Sequence, residues 1–299
     1  LPQRFVTVAL LEALRTGFND AFKKGQLKAK PVGSEMSMTV PSSTKIETYG
    51  WLGAMPTFRK WVGAKRVKSL EERAYQLMND PYEATTGIHK HQIADDNLGI
   101  YGPMFEGWGM EAELWPDRMR WDALANGNVR PCFDNQNFFD ASHPSFQDDG
   151  TTYSNINTVG TVQPWYLLDL GKPLKPLLFQ DREKPHFWMI TNPEDSKVAD
   201  TGEFGCYGEA RGAMGYTMWN LAYRSTATLN AANYVIARDL MASWKDEAGD
   251  PMGIRPTHIV TGVSNRAAAR DLFLKQNLVG GESNVYFNEL VIIEADRLP

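Results

Sequence analysis

Apolar residues recur along this chain with more than one period, and each period predicts a different kind of element. Residues 5–14 (FVTVALLEAL) set apolar side chains among Arg4, Arg15, Lys23 and Lys24, with Glu12 interrupting them. That pattern predicts an amphipathic helix rather than a secretory leader, since no small-residue cleavage site follows. Gly33 and Ser34 break it. Met36, Met38 and Val40 then alternate with Ser37 and Thr39, the two-residue period of a half-buried strand, and Pro41 ends the run. A second extended piece covers Thr44–Trp51. Between residues 56 and 88 helical periodicity is weak. Arg59 and Trp61 alternate with Lys60 and Val62, and Tyr75 and Leu77 with Ala74 and Gln76. This stretch reads as two long antiparallel strands with a charged connection. From Asp95 to Asn126 the period turns helical. Met104, Trp108, Ala112, Trp115 and Met119 form one apolar stripe, Pro116 predicts a kink or restart, and Asn126-Gly127 a stop.

The second half mixes both periods. Residues 131–144 (PCFDNQNFFDASHP) are rich in turn formers and read as a compact loop or hairpin. Tyr166–Leu170, Leu177–Gln180 and the run from Phe204 to Tyr223 read as strands. Asn230 is placed to cap a helix whose stripe is Tyr234, Ala237, Met241 and Trp244. His258–Thr261 reads as a strand, Ser264 as the cap of a short helix through Ala267–Leu274, and Leu290–Ile293 as a last strand. Helices and strands without regular βαβ alternation predict an α+β fold.

Composition narrows the class. The chain has 299 residues, 42% hydrophobic, 22% charged and 11% aromatic, too apolar for a disordered chain. A chain of this length suggests about two domains and buries roughly 75% of its unfolded surface. With mean hydropathy −0.40 and no run of about 18 apolar residues, no membrane-spanning helix is expected. Cys132 and Cys206 cannot make a disulfide framework and form no CxxC pair, which points to a cytoplasmic origin.

Charge is unevenly spread. Residues 1–30 carry Arg4, Arg15, Lys23, Lys24, Lys28 and Lys30 against Glu12 and Asp20, and residues 58–90 carry seven basic residues against four acids. The whole chain is −5, so the remainder is −12. Basic segments on an acidic body attract other copies of the chain or a polyanion. Ordinary solvated surface is the alternative for any single charge.

Candidate chemistry is thin. GxxxxGK[ST], HExxH and GxSxG are absent, no GxGxxG follows a strand, and Gly262-Val263-Ser264 lacks the second glycine. His89 and His91, with Asp95 and Asp96 following, would share a strand face and could share a cation, but no third ligand is implied. His143 and His258 read as structural, with imidazoles satisfied by backbone groups. The pairs Glu71/Glu72 and Glu111/Glu113 do not face one cleft, and most of the nine Trp fit packing stripes. No catalytic, cofactor-binding or metal-ligating residue is nominated, and no cofactor is expected. The segment around 56–88 is more informative. It sets Trp51, Phe58 and Trp61 beside Lys60, Lys65, Arg66 and Lys68. An isolated hairpin is marginal in water, so it either buries these aromatics on a partner or folds onto its own core.

Five blocks carry a resemblance. ETYGWLGAMPTFRKWVG (47–63), HQIADDNLGIYGPMF (91–105), CFDNQNFFDASHP (132–144), GEARGAMGYTMWNLAYRS (208–225) and residues 254–274, which open with IRPTHIVTG, resemble the Mu-like phage major head subunit (gpT) family. The blocks run in order over four-fifths of the chain. The resemblance implies a tailed-phage major capsid protein of the Hong Kong 97 type. Its parts would be an N-terminal arm (1–34), strands and an extended β-hairpin loop (35–90, tip within 56–88), a peripheral domain with a long spine helix (91–150) and a mainly axial domain (151–299). A peripheral-domain strand is expected at 204–225. The implied function is self-assembly into hexamers and pentamers of an icosahedral shell around double-stranded DNA, in the virion and, during assembly, the host cytoplasm. Scaffold, protease, portal and decoration proteins are implied partners, with DNA bound non-specifically and no membrane. Trp51, Phe58, Lys60, Trp61, Lys65, Arg66 and Lys68 become candidate interface residues. The basic arm would face DNA or an acidic neighbour. Some capsids of this fold cross-link a Lys to an Asn, but no motif carries such residues over. The competing readings are a soluble metal-dependent hydrolase using His89, His91 and Asp95, and a head-associated decoration protein.

Overall fold

The computed structural model describes residues 6–50, 75–94, 98–147, 149–278 and 280–298. Its helices are α1 (Val8–Lys28), α2 (Lys90–Ala94), α3 (Tyr101–Glu113), α4 (Trp115–Asn126), α5 (Ser196–Thr201), α6 (Ala231–Ser243) and α7 (Arg266–Phe273). Its strands are β1 (Ser37–Pro41), β2 (Ile46–Tyr49), β3 (Tyr75–Met78), β4 (Asp80–His89), β5 (His143–Pro144), β6 (Thr152–Tyr153), β7 (Ile156–Asn157), β8 (Trp165–Leu168), β9 (Leu177–Met189), β10 (Glu203–Tyr216), β11 (Ala222–Ser225), β12 (His258–Thr261) and β13 (Val291–Glu294).

Two sheets organise these elements. A four-stranded sheet has the order β1-β9-β10-β4, with β1 parallel to β9 and the other pairs antiparallel. A five-stranded sheet has the order β13-β12-β8-β11-β7, built around the fully buried strand β8. The expected strand at 204–225 divides between them: β10 joins the four-stranded sheet and β11 the five-stranded one. The long β9 also belongs to the four-stranded sheet, so the chain returns to it twice after residue 151. β4 pairs with β10 from Asp80 to His89. The extended run to residue 88 is therefore not one hairpin arm. Among the described residues of this run, Tyr75–Met78 pairs back, with Ile46–Tyr49, and residues 56–74 lie outside the described residues.

Helix α1 starts at Thr7, whose hydroxyl accepts the Leu10 N–H at 3.2 Å. It runs beside α3 in the same direction: Phe18 meets Tyr101 and Phe105, Phe22 meets Trp108, and Gly25 meets Glu106 and Met110. Backbones touch at two glycines. A Cβ on Gly25 would lie 1.9 Å from the Glu106 carbonyl oxygen, and one on Gly109 would lie 1.9 Å from the Phe22 carbonyl oxygen. Burial on α3 is accordingly rotated from the expected stripe. Tyr101, Phe105 and Gly109 are buried, whereas Met104 is 42% exposed. The cause is that α3 is covered from two sides, by α1 and by the sheet, where Trp108 stands over Gly208. The expected restart occurs at Trp115-Pro116, because Pro116 has no N–H to continue the ladder.

The Asn230 side chain caps α6 as its spacing predicts. Ser264 does not cap α7. A short 3-10 turn over Val263–Asn265 leads into that helix, which has no side-chain cap. One hydrophobic core surrounds the five-stranded sheet, with Trp165, Trp219, Tyr234 and Trp244. A smaller one lies under α1 and α3, with Leu11, Phe18, Ile88, Phe105 and Phe204. Among the described residues, no helix is long and apolar enough to cross a membrane.

Candidate functional site

The β2–β3 ribbon follows β1 through a hydrogen-bonded elbow and packs against β9 and β10 of the four-stranded sheet. β1 ends at Pro41, and the Ser42 N–H donates to the Asp181 carbonyl at 3.0 Å. The chain then turns around one carboxylate. Glu47 Oε1 accepts from the Ser42 hydroxyl, the Ser43 N–H and the Thr44 N–H at 2.8, 2.8 and 3.0 Å. These bonds, the Thr44 N–H first, hold the Glu47 carboxyl down at about 2. From the other strand, the Asn79 side chain donates to the Ser42 hydroxyl and the Thr44 carbonyl at 2.7 and 2.9 Å. Such a polar joint suits a ribbon of which four residues of each strand are described, since a two-stranded ribbon is marginal in water by itself. Ile46 and Met78 are about half exposed.

The candidate interface residues Trp51, Phe58, Lys60, Trp61, Lys65, Arg66 and Lys68 lie outside the described residues, as does Arg4. They fall in the 24 residues that connect β2 to β3 beyond Gly50. The other basic-arm candidates are in place. Arg15, Lys23, Lys24 and Lys28 are on α1, and Lys30 follows it, so residues 8–28 form a helix packed on α3 rather than a free arm. Lys24 and Lys28 both reach Glu106 of α3, which lowers the Glu106 carboxyl, chiefly through Lys28. Arg15 pairs with Glu12 at 2.7 Å. Lys23 and Lys30 have no acidic partner among the described residues and are exposed.

Where α1 hands over to β1, a buried polar knot ties three segments together. Asp117 Oδ2 accepts the Val32 and Gly33 N–H groups at 2.8 and 3.2 Å, and Asp117 Oδ1 meets Arg120 at 2.5 Å. Arg120 Nε donates to the Ser37 hydroxyl at 2.8 Å, and its guanidinium lies 6.0 Å from the Phe179 ring centre. The two charged side chains are 5% and 7% exposed.

Catalytic geometry is not assembled among the described residues. His89 and His91 have ring centres 4.8 Å apart at the β4–α2 junction, but His89 Nδ1 already accepts the His91 N–H, and Asp95 lies outside the described residues. Cys132, Asp134 and His143 converge in the core. His143 Nδ1 is 2.7 Å from Asp134 Oδ2, and the Cys132 thiol donates to Asp134 Oδ1 at 3.0 Å. Donors on a tetrahedral zinc stand about 3.3–3.6 Å apart, given metal–ligand bonds of about 2.0–2.3 Å. These are therefore hydrogen bonds. Burial, with Asp134 beside it, pushes the Cys132 thiol far up, so it is no nucleophile. Burial is the largest influence on Asp134 and works against its ionisation, but His143, the Cys132 thiol and the Gln136 N–H together outweigh it and leave the carboxyl below its ordinary value. His143 stacks on Trp219 at 4.2 Å, and its Nε2 faces Asn155 Oδ1 at 3.2 Å. His143 is structural as expected, but its partners are side chains and not backbone groups. The same holds for His258, which lies between Thr257 and Glu35.

Sequence reasoning missed Glu47, Asn79, Asp117 and Arg120 because their partners are distant in the chain or sit in loops without periodicity. Gly25 and Gly109 did leave a signal, as isolated glycines inside helical patterns.

Known proteins match this architecture over its whole length. The family model of the Mu-like prophage major head subunit gpT matches residues 11–298. The major capsid protein of Escherichia phage Mu is 36% identical over 303 residues, covering 98% of this chain and 99% of that protein. Among solved structures, a chain of the bacteriophage JBD30 procapsid is 34% identical, with TM-score 0.85, covering 97% of this chain and 99% of that one. A chain of the bacteriophage JBD30 capsid is 27% identical, with TM-score 0.77, covering 98% and 99%.

Proposed function

Since this chain belongs to the Mu-like prophage major head subunit gpT family and is a capsid protein of the virion shell with the Hong Kong 97-type fold, we propose that its ribbon and basic helix make the contacts that join copies into hexamers and pentamers. The observation that carries this reading is the ribbon. Its root is a hydrogen-bonded elbow, Ile46 and Met78 on its outer side are about half exposed, and the segment it carries concentrates Trp51, Phe58 and Trp61 among basic residues. Such a segment gains most by burying those rings on a neighbouring copy. Each contact can be weak, because a closed shell repeats it many times.

In this reading the four-stranded sheet with α1, α3 and α4 is the peripheral domain, and the five-stranded sheet with α6 and α7 is the axial domain. Lys24 and Lys28 are already engaged by Glu106, which leaves Lys23 and Lys30 for an acidic neighbour or the packaged double-stranded DNA. Scaffold, protease, portal and decoration proteins are the further partners of this assembly.

The test is sedimentation and negative-stain microscopy of the purified chain across a salt series, with Trp61→Asp beside it. The wild-type chain should give shells, sheets or capsomers, weakened by salt where the basic segments contribute. Trp61→Asp should stay folded and form none. Normal shells from Trp61→Asp would remove the ribbon segment from the interface.

A further inference from the structure

One side chain of the sheet touches both strands of the ribbon. Gln180 lies on β9, fully buried, paired in register with Val40 of β1 and Ala213 of β10. Its Nε2 donates to the Leu77 carbonyl of β3 at 3.3 Å, and its Oε1 accepts from the Tyr49 hydroxyl of β2 at 2.7 Å. The Leu77 carbonyl can only accept, so the orientation of the amide is determined, and Tyr49 must be the donor. Burial pushes the Tyr49 hydroxyl up to about 12, so it keeps the proton it donates. Beside this clamp, β10 is trimmed to receive the ribbon. A Cβ on Gly215 would lie 2.9 Å from the Tyr75 hydroxyl and 3.0 Å from Leu77 Cδ2, and the Tyr216 N–H donates to the Tyr75 hydroxyl at 3.3 Å.

The elbow holds the ribbon's root, whereas Gln180 grips both strands further along. Angle at that grip matters because of leverage. The 24 residues beyond it can reach out and return over at most about 40 Å. A rotation of about 10° at the clamp would displace a point about 40 Å away by about 7 Å, more than the ~4–4.5 Å over which apolar side chains make contact. We infer that Gln180 is a positioning residue for assembly, setting the angle at which the ribbon leaves the sheet and so where residues 51–74 meet a neighbouring copy. This rests on the reading of that segment as an inter-subunit contact.

The test reads the angle directly. Spin labels at Lys60→Cys and Asp239→Cys, with the native Cys132 and Cys206 buried, report the ribbon-to-body distance distribution of the unassembled subunit by double electron–electron resonance. Gln180→Met, which removes both hydrogen bonds at similar volume, should shift or broaden that distribution at least twofold in width. Ile259→Val and Ile259→Ala, in the five-stranded sheet, bracket its loss of Tm and should leave the distribution unchanged. In sedimentation, Gln180→Met should lower shell yield at least tenfold, against less than threefold in the control of matching Tm. An unchanged distance distribution, or equal loss of shells in the matched control, overturns the inference. Trp61→Asp separates it from its premise. Wild-type shell yield from Trp61→Asp removes the contact role of residues 51–74 and the assembly role of Gln180 with it. Loss of shells in Trp61→Asp beside an unmoved distance distribution in Gln180→Met removes the positioning role alone.

Discussion

The knot of Asp117 and Arg120 gives the sharpest energetic prediction, because both charges are buried and each has other partners. Removing Arg120 (Arg120→Met) leaves the Asp117 carboxylate buried with the Val32 and Gly33 N–H groups as donors but no counter-charge. Breaking one side of a buried pair costs about 3–5 kcal/mol, and the retained amide bonds place this variant near the low end, about 3 kcal/mol. Asp117→Ala is worse. It strands the Arg120 guanidinium and also orphans the two amides, so about 4–5 kcal/mol is expected. The double variant removes both charges. What remains is the two amides and a small cavity, about 2–3 kcal/mol. The single losses therefore sum to about 7–8 kcal/mol while the double loses less than half of that, a coupling of about 5 kcal/mol. Urea unfolding of the unassembled subunit, followed by Trp fluorescence, measures all three through the midpoint at constant slope. Additivity within about 0.5 kcal/mol would refute the reasoning, since it would mean that the two charges do not share their burial cost in the folded state.

Three further outcomes follow from other parts of the fold. Gly109→Ala places a Cβ 1.9 Å from a main-chain oxygen of α1, so α1 should lift from α3 at a cost of about 1–3 kcal/mol, read as faster hydrogen exchange in residues 8–28, with Gly17→Ala unchanged as the control. The Glu47 carboxyl lies at about 2, below its ordinary 4.5, so its contribution to the elbow is complete above about 4.5 and is lost as pH falls towards 2. Exchange at residues 42–45 should rise over that window, and Glu47→Gln should flatten the rise. His143→Ala should cost about 3 kcal/mol by leaving Asp134 buried without its partner, while a zinc chelator should leave the wild-type Tm unmoved, because the cluster is hydrogen-bonded.

How much was legible follows from the range of each interaction. The Asn230 cap, the strand His258–Thr261, the break at Pro116 and the amphipathic first helix depend on neighbours within a few residues, and they stand where periodicity places them. The division of the extended run from Tyr75 to His89 was not legible. Tyr75–Met78 and Asp80–His89 are both extended, and only their partners, β2 in one case and β10 in the other, separate ribbon from sheet. The stripe on α3 was read correctly as a helix whose Trp108 faces the sheet, but no local pattern announces that a second helix covers Tyr101, Phe105 and Gly109.

By itself the sequence determined the local elements, the absence of a catalytic motif, and a family resemblance that the whole-length matches bear out. These are properties of short windows and of residue order. Only the tertiary structure decided that the basic helix lies docked on α3, that Asp117, Arg120 and Ser37 form one buried knot, and that Gln180 holds both strands of the ribbon. Each of those depends on residues as many as 131 positions apart in sequence. Their attraction becomes selective only after the sheet has excluded water from between them, because a hydrogen bond or ion pair in solvent gains little over its contacts with water.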